Sequence, residues 1–301
     1  MAGETGAAQQ PGRRLGRWRA WRTVLAVTAA VALLLAVWAF WLEPRRLVVR
    51  DVALTVPGWS MAHNGLRVAL LADLHVGSPH HGLTTLRRIV ARLNALAPDV
   101  VLLLGDYVIT GMPGGRFVPP ESAAAVLEGI RARHGTFAVL GNHDAWFDAA
   151  RVTDALDRAG IRVLSDSSAA LDVAGDTLWL AGVSDLWTGY HDIGAALRNV
   201  PDGAPVLLFT HNPDIFPRVP RRVSLTVAGH THGGQVRLPI IGRPVVPSRY
   251  GQRYASGHVV EEGRHLFVSS GTGTSILPVR FRVPPEIVML TLRPLDAMTT
   301  E

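Results

Sequence analysis

Five unbroken apolar runs of strand length constrain this chain more than any other feature: "LRVALLADLH", "DVVLLLGD", "TFAVLGNHD", "PVLLFTH" and "VSLTVAGH". A strand sends alternate side chains to opposite faces, so a run with no polar alternation suits a sheet covered on both sides. Helical spacing lies between the runs. In "TTLRRIVARLNALAP" the apolar residues Leu86, Ile89, Val90, Leu93 and Leu96 share one face, and "ESAAAVLEGIRARHG" and "DAARVTDALDRAG" also read as helices. Such alternation predicts an α/β fold with helices on the sheet faces. From Ala169 onward "AALDVAGDTLWLAGV" and "HVVEEGRHLFVSS" look like hairpins, which predicts a β-rich, mixed second half. Pro239 to Gly257 reads as a long irregular excursion of the kind that borders sites. No repeat of fixed period is present.

Composition removes several chemistries. The 301 residues include no cysteine, so disulfides, thiolate nucleophiles and Cys-type zinc sites are excluded. All 30 basic residues are arginine, which excludes a P-loop lysine and a Schiff base. The formal charge of +6 is local: residues 1–50 carry eight arginines and two glutamates, leaving 22 basic and 22 acidic residues elsewhere. A neutral body does not track long nucleic acids.

Thr23 to Leu42, "TVLAVTAAVALLLAVWAFWL", is 20 residues without a charge, enough for a helix to cross a hydrocarbon core of about 30 Å. Trp18, Trp21, Trp38 and Trp41 stand toward its ends, where amphipathic rings prefer the interface. Arg13, Arg14, Arg17, Arg19 and Arg22 precede it, against Arg45, Arg46 and Arg50 after it, a bias that favours a cytoplasmic N-terminus and an extracytoplasmic body. A cleavable signal peptide is the competing reading, with Val37 and Ala39 at the small-residue positions; the bulky Trp38, Phe40 and Trp41 argue against cleavage. The expected organisation is a cytoplasmic basic tail (1–22), a single transmembrane helix (23–42), a linker with a first strand (43–64) and a catalytic domain (65–295).

The strand candidates end on metal-ligand residue types. The first ends on Asp73 and His75, the second on Asp106, the third on Asn142, His143 and Asp144, the fourth on His211, and the last on His230 and His232. Ligands of open α/β sheets bind beyond the carboxyl ends of the strands, so these residues, far apart in sequence, are expected at one edge. Each motif alone is weak; their joint occurrence points to a metal centre. Carboxylate oxygens with imidazoles and no sulfur suit Mn, Fe or Zn, and two such ions can clamp the attacking and leaving oxygens of a displacement at phosphorus.

The ordered set "DLH", "GD", "GNHD", "TH" and "GHTH" resembles the calcineurin-like metallophosphoesterase superfamily over about Val68 to Pro278. With "GHTHGGQVRLP" and the N-terminal segment, it is most similar to a bacterial membrane-associated branch that includes phosphodiesterases acting on UDP-diacylglucosamine-type substrates. The resemblance implies a layered α/β/β/α sandwich of mixed sheets and a metal-dependent phosphoric ester hydrolase. It implies one metal ion on Asp73, His75 and His232, a second on Asn142, His211 and His230, and Asp106 bridging both. His143 would stand at the phosphate, and metal-activated hydroxide would attack. The expected substrate is a phosphodiester or pyrophosphate, lipid-linked, in a lipid or envelope glycan precursor. A secreted nuclease, a phosphomonoesterase and a non-catalytic envelope binding module are the alternatives.

One departure stands out. Protein phosphatases of this superfamily continue the second motif as GDxxDR, the acid orienting the catalytic histidine, whereas here Ile109 and Thr110 occupy those places. The partner of His143 is therefore unassigned. The glycine-rich "SSGTGTS", Ser269 to Ser275, and the group Arg249, Tyr250 and Arg253 are weak candidates for phosphate contacts, and Trp146 and Trp187 for the cleft wall. His80, His81, His134, His191, His258 and His265 fit no motif.

Overall fold

The apolar runs form the centres of two stacked six-stranded sheets in a computed structural model that describes residues 12–295, with side chains from Trp18 onward. Residues 1–11, the outer part of the expected basic tail, lie outside the described residues. The strands of the first sheet are β1 (Val48–Val56), β2 (Leu66–Leu71), β3 (Val100–Leu103), β4 (Thr136–Ala138), β5 (Arg162–Val163) and β12 (Glu286–Pro294), in the order β1-β12-β2-β3-β4-β5. β2 to β5 are mutually parallel, β12 is antiparallel to β2, and β1 is parallel to β12. The second sheet contains β6 (Ser167–Val173), β7 (Asp176–Val183), β8 (Val206–Thr210), β9 (Leu225–Ala228), β10 (Gly257–Glu261) and β11 (Arg264–Val268), in the order β10-β11-β9-β8-β7-β6. Its central pairings are parallel, and antiparallel hairpins form both edges.

Alternation within each strand explains the runs. Val68, Leu70, Val100 and Leu102 face Leu207, Phe209, Leu225 and Val227 in a core between the sheets. The intervening Ala69, Leu71, Val101 and Leu103 pack under the helices α2 (Leu83–Ala95), α3 (Pro120–Leu127) and α4 (Asn142–Arg158). On the far side Val206, Leu208 and Ala228 lie under the short helix α5 (Ile193–Leu197) and a 3-10 turn over Pro213–Arg218. The result is the expected α/β/β/α layering.

Two helices differ from the periodicity. α3 stops at Leu127, where the exposed Glu128 and Gly129 follow and glycine disfavours another helical turn. α4 begins earlier than "DAARV", at Asn142, so the third apolar run keeps only Thr136–Ala138 as strand. Gly141 stands at the N-cap, and Asp144 three residues on accepts its backbone N–H.

The N-terminal helix α1 (Gly12–Val37) continues through a π-turn (Trp38–Leu42) and a 3-10 turn (Glu43–Arg45) into β1. The span Trp18–Arg45 is the one helix among the described residues long and apolar enough to cross a membrane, and nearly all of it lies outside the folded body. Its end is docked. Ala39 and Glu43 are buried, Trp38 Nε1 donates to Glu43 at 2.6 Å, and Arg280 N donates to the Ala39 carbonyl at 2.9 Å. His80 accepts from Arg45 Nε and donates Nε2–H to the Phe40 carbonyl at 3.0 Å, while Trp41 packs edge-on against its ring.

Candidate metal centre

Each proposed ligand follows a strand by a few residues, and the parallel arrangement brings the carboxyl ends of β2, β3, β4, β8 and β9 to one edge. Asp73, His75 and His232 place ligand atoms within 4.8 Å of one another; so do Asp106, His211 and His230, and so do His75, Asp106 and His143. Asn142 joins the second group, its Oδ1 lying 3.1 Å from His211 Nε2. The seven residues expected to hold metal therefore converge, with Asp106 between the two groups: its Oδ2 is 3.4 Å from His75 Nε2 and 3.3 Å from His211 Nε2.

The backbone is bent to achieve this. Asp73, His75, Asp106, His230 and His232 all have left-handed φ, between 40° and 70°. For non-glycine residues such conformations cost about 1–3 kcal/mol each and persist where surrounding structure imposes them. Gly141 allows the close approach, since a Cβ there would lie 2.2 Å from Asp106 Oδ1.

The proton inventory shows what the cluster can hold. His75 Nδ1 is 3.3 Å from the Val108 carbonyl and His211 Nδ1 is 2.7 Å from that of Leu104, so both rings donate there and turn Nε2 inward, as a lone pair on His75 and as one that His211 gains on losing its second proton. Those inward nitrogens then meet further acceptors. His75 Nε2 faces His232 Nε2 at 3.1 Å, and His211 Nε2 faces His230 Nδ1 at 3.0 Å. Carboxylate, amide and imidazole acceptors crowd together with few protons among them, an arrangement that cations satisfy.

Burial reinforces this. It pushes the His75 and His230 imidazoles down to about 3 and His232 well below its usual range, so all three are neutral and able to ligate. Burial also opposes ionisation of Asp106, but His211 and His75 overcome it and hold the carboxyl well below its ordinary value. His211 is pulled well above its usual range by Asp106 despite burial, and Asp73 is raised to about 7 chiefly by burial. A divalent cation among these groups would keep Asp73 ionised and His211 neutral.

His143 sits at the first turn of α4, half-buried. Its backbone N–H donates to Asp106 Oδ1 at 2.9 Å, and its ring packs edge-on against His75 and Trp146. Trp146 and Trp187 are exposed, with ring centroids 6.5 Å apart, and Trp187 also meets His230 edge-on at 4.3 Å. They wall one side of the cluster.

Asp144 does not orient His143. Its carboxylate is fully buried and accepts four backbone N–H groups: Asp106 and Gly141 on Oδ2, Tyr107 and Val108 on Oδ1, at 2.7–3.1 Å. It clamps the second motif to the third, and the signal for it was an acid three residues after a glycine N-cap. Asp185, buried beyond the end of β7 where burial raises its carboxyl and the His211 charge opposes that rise, was missed because "VSDLW" carries no distinctive spacing.

"SSGTGTS" is a brace, not an anion cradle. Thr272 N and Gly273 N donate to the carbonyls of Ala72 and Asp73, and a Cβ on Gly271 would lie 2.6 Å from Asp73 Oδ2. Behind it the wholly buried Arg280 donates to the carbonyls of Ser270, Gly271, Gly273 and Val283. Arg253 is paired with Glu261 and Tyr250 packs on Tyr254, so the loop spends these two on its own folding, while Arg249 is held through its backbone N–H to Asp214 with its side chain exposed.

A sheet edge that gathers aspartates, an asparagine and histidines around one carboxylate defines a metal-dependent hydrolase. The sequence profile of calcineurin-like phosphoesterases matches residues 66–234, more than half of the chain, and the protein belongs to that family. It is a metal-dependent phosphoester hydrolase, and the family uses divalent metals. The chain is 27% identical to the metallophosphoesterase YkuE of Bacillus subtilis, over 85% of this chain and 89% of that one. It is 32% identical to Phosphodiesterase YaeI of Escherichia coli, over 75% and 82% of the respective chains. A zebrafish "Transmembrane protein with metallophosphoesterase domain" is 31% identical over 83% of this chain, which spans 58% of that protein. Among solved structures, a 5'-nucleotidase precursor from Thermus thermophilus aligns over 67% of this chain and 48% of its own, with 15% identity and a TM-score of 0.44.

Proposed function

We propose that this chain is a single-pass, membrane-anchored phosphodiesterase holding two divalent ions, with its catalytic domain (65–295) on the extracytoplasmic side. Asp73, His75 and His232 would hold one ion and Asn142, His211 and His230 the other, with Asp106 shared between the two groups. The oxygen and imidazole donors suit Mn, Fe or Zn. When bound, the ions supply positive charge to the phosphoryl oxygens and acidify an attacking water.

The chain's own residues do the rest. His143, held neutral at neutral pH chiefly by burial, donates a ring N–H to a phosphoryl oxygen on the open side of the cluster. Trp146 and Trp187 shield that side from water and contact the organic part of the substrate.

The observation that carries the membrane substrate is topological. β1 begins at Val48 beside Glu286, and Val288 lies beside Leu70, so the anchor enters the domain at the sheet edge where β2 ends and the metal ligands begin. A phosphodiester or pyrophosphate on a lipid or envelope glycan precursor, of the UDP-diacylglucosamine type, is thereby close at hand. The name of Phosphodiesterase YaeI supports a diester.

The test is hydrolysis by the full chain, in detergent with Mn²⁺, of bis(p-nitrophenyl) phosphate, p-nitrophenyl phosphate and a panel of nucleotide-linked and sugar-linked lipids. Faster turnover of the soluble diester than of the monoester, with a lipid substrate faster still, is expected. Preference for the monoester would reject the diesterase reading, and no turnover by metal-loaded protein would reject catalysis.

A further inference from the structure

Outside the anchor helix, five exposed apolar residues stand on two neighbouring loops. Ile240, Ile241 and Val245 lie on the loop that leaves His232, and Ile276 and Leu277 on the loop before Arg280. The loops are tied into one surface. Val236 bridges Phe281, Arg237 N donates to the Phe281 carbonyl at 2.9 Å, and Gln235 Nε2 donates to that of Leu277 at 3.2 Å.

Ile240 and Ile276 have φ of 67° and 66°. That region suits glycine or asparagine, and a β-branched residue there is an outlier. A loop tip designed for water would carry neither the strain nor the exposed side chain. An apolar cover would account for these tips.

Position identifies the cover. The end of the anchor helix lies against the same segment, through the Arg280 N–H to the Ala39 carbonyl. Leu277 is three residues from Arg280, within about 11 Å of chain from that junction, and Ile240 is three residues from Arg237, which pairs with Phe281 next to Arg280. Exposed arginines surround it: Arg45, Arg46, Arg237 and Arg282. Apolar tips ringed by cations match a bilayer surface with anionic headgroups.

We propose that these two loops form a second membrane contact, in which Ile240, Ile241, Val245, Ile276 and Leu277 enter the headgroup–acyl boundary of the leaflet from which the anchor emerges. Since His232 directly precedes the first loop, the contact seats the metal-bearing edge on the lipid surface. The inference rests on the anchor spanning the membrane, and it does not depend on which phosphoester is cleaved.

The absence of cysteine permits a clean test. Full chain carrying Ile240→Cys, Ile276→Cys or Met61→Cys is labelled with a polarity-sensitive fluorophore and reconstituted into vesicles of phosphatidylcholine with phosphatidylglycerol. Met61, exposed just before β2, marks the opposite sheet edge. Nitroxide-bearing lipids should quench positions 240 and 276, with blue-shifted emission and protection from aqueous iodide, and leave position 61 unquenched. Equal iodide access at all three positions, in protein that co-floats with the vesicles, would overturn the second contact alone. Protection from iodide without lipid quenching would also overturn it, because another protein copy would then be the cover. Protein that fails to co-float would overturn the anchor itself.

Discussion

Replacing Asp144 by asparagine should unfold the metal centre without touching a ligand. The carboxylate accepts four backbone N–H groups, two on each oxygen, and all are buried. Burial raises this acid to about 7, with the Asp106 charge adding to it, but four surrounding donors and no neighbouring acceptor favour the ionised form. An asparagine keeps one acceptor oxygen and turns an NH2 group toward the other two donors. Two charge-assisted bonds are lost, at about 1.5–3 kcal/mol each, giving a cost of about 3–6 kcal/mol. That is a large share of the ~5–15 kcal/mol that holds a typical domain folded. Because one lost or weakened bond is to Asp106 N, metal affinity should fall too. The assay is urea unfolding of the full chain in detergent micelles, with and without Mn²⁺. The expected result is a lower midpoint at unchanged slope, with the larger loss in the presence of metal. A loss below about 1 kcal/mol would refute the clamp, since even one unsatisfied buried N–H costs that much.

His143→Ala should lower kcat by about 10²-fold or more while leaving metal content unchanged, because removing one donor aimed at developing charge typically costs that much; loss of metal with it would show that His143 is a ligand. Metal binding should release protons at pH 7. In the metal-free protein His211 is protonated, its value raised by Asp106 against burial, and Asp73 is raised to about 7. The His211–Asp106 pair stabilises the metal-free fold fully below about pH 6.5, the unfolded histidine value, and fades as pH rises through the higher folded value. Metal must displace that proton, so affinity should strengthen with rising pH. Calorimetry of Mn²⁺ binding in buffers of different ionisation enthalpy checks this, and zero proton release would contradict it.

The layered fold was legible because its signals are local. Unbroken runs such as "VVLLL" have a place only between covered faces, and both faces of β3 are indeed packed. The convergence of Asp73, Asp106, His211 and His232 was legible because parallel strands bring their carboxyl ends to one edge. What could not be read depends on tertiary contacts. Asp144 looked like a third strand-end acid, yet the early start of α4 turns it back under the loop of Asp106. "SSGTGTS" had the composition of an anion loop, but the bulk of Asp73 and the carbonyls bound by Arg280 make its glycines a packing requirement. The docking of Ala39 and Glu43 was hidden because a spanning segment is recognised by hydropathy, which says nothing of what its last turn touches.

Anomalous diffraction at the manganese edge, on crystals of the Mn²⁺-loaded protein, tests the central claim most directly. Two peaks about 3.5–4 Å apart, flanking the Asp106 carboxylate with Asp73, His75 and His232 on one and Asn142, His211 and His230 on the other, are predicted. A single peak, or manganese bound away from Asp106, would contradict the account.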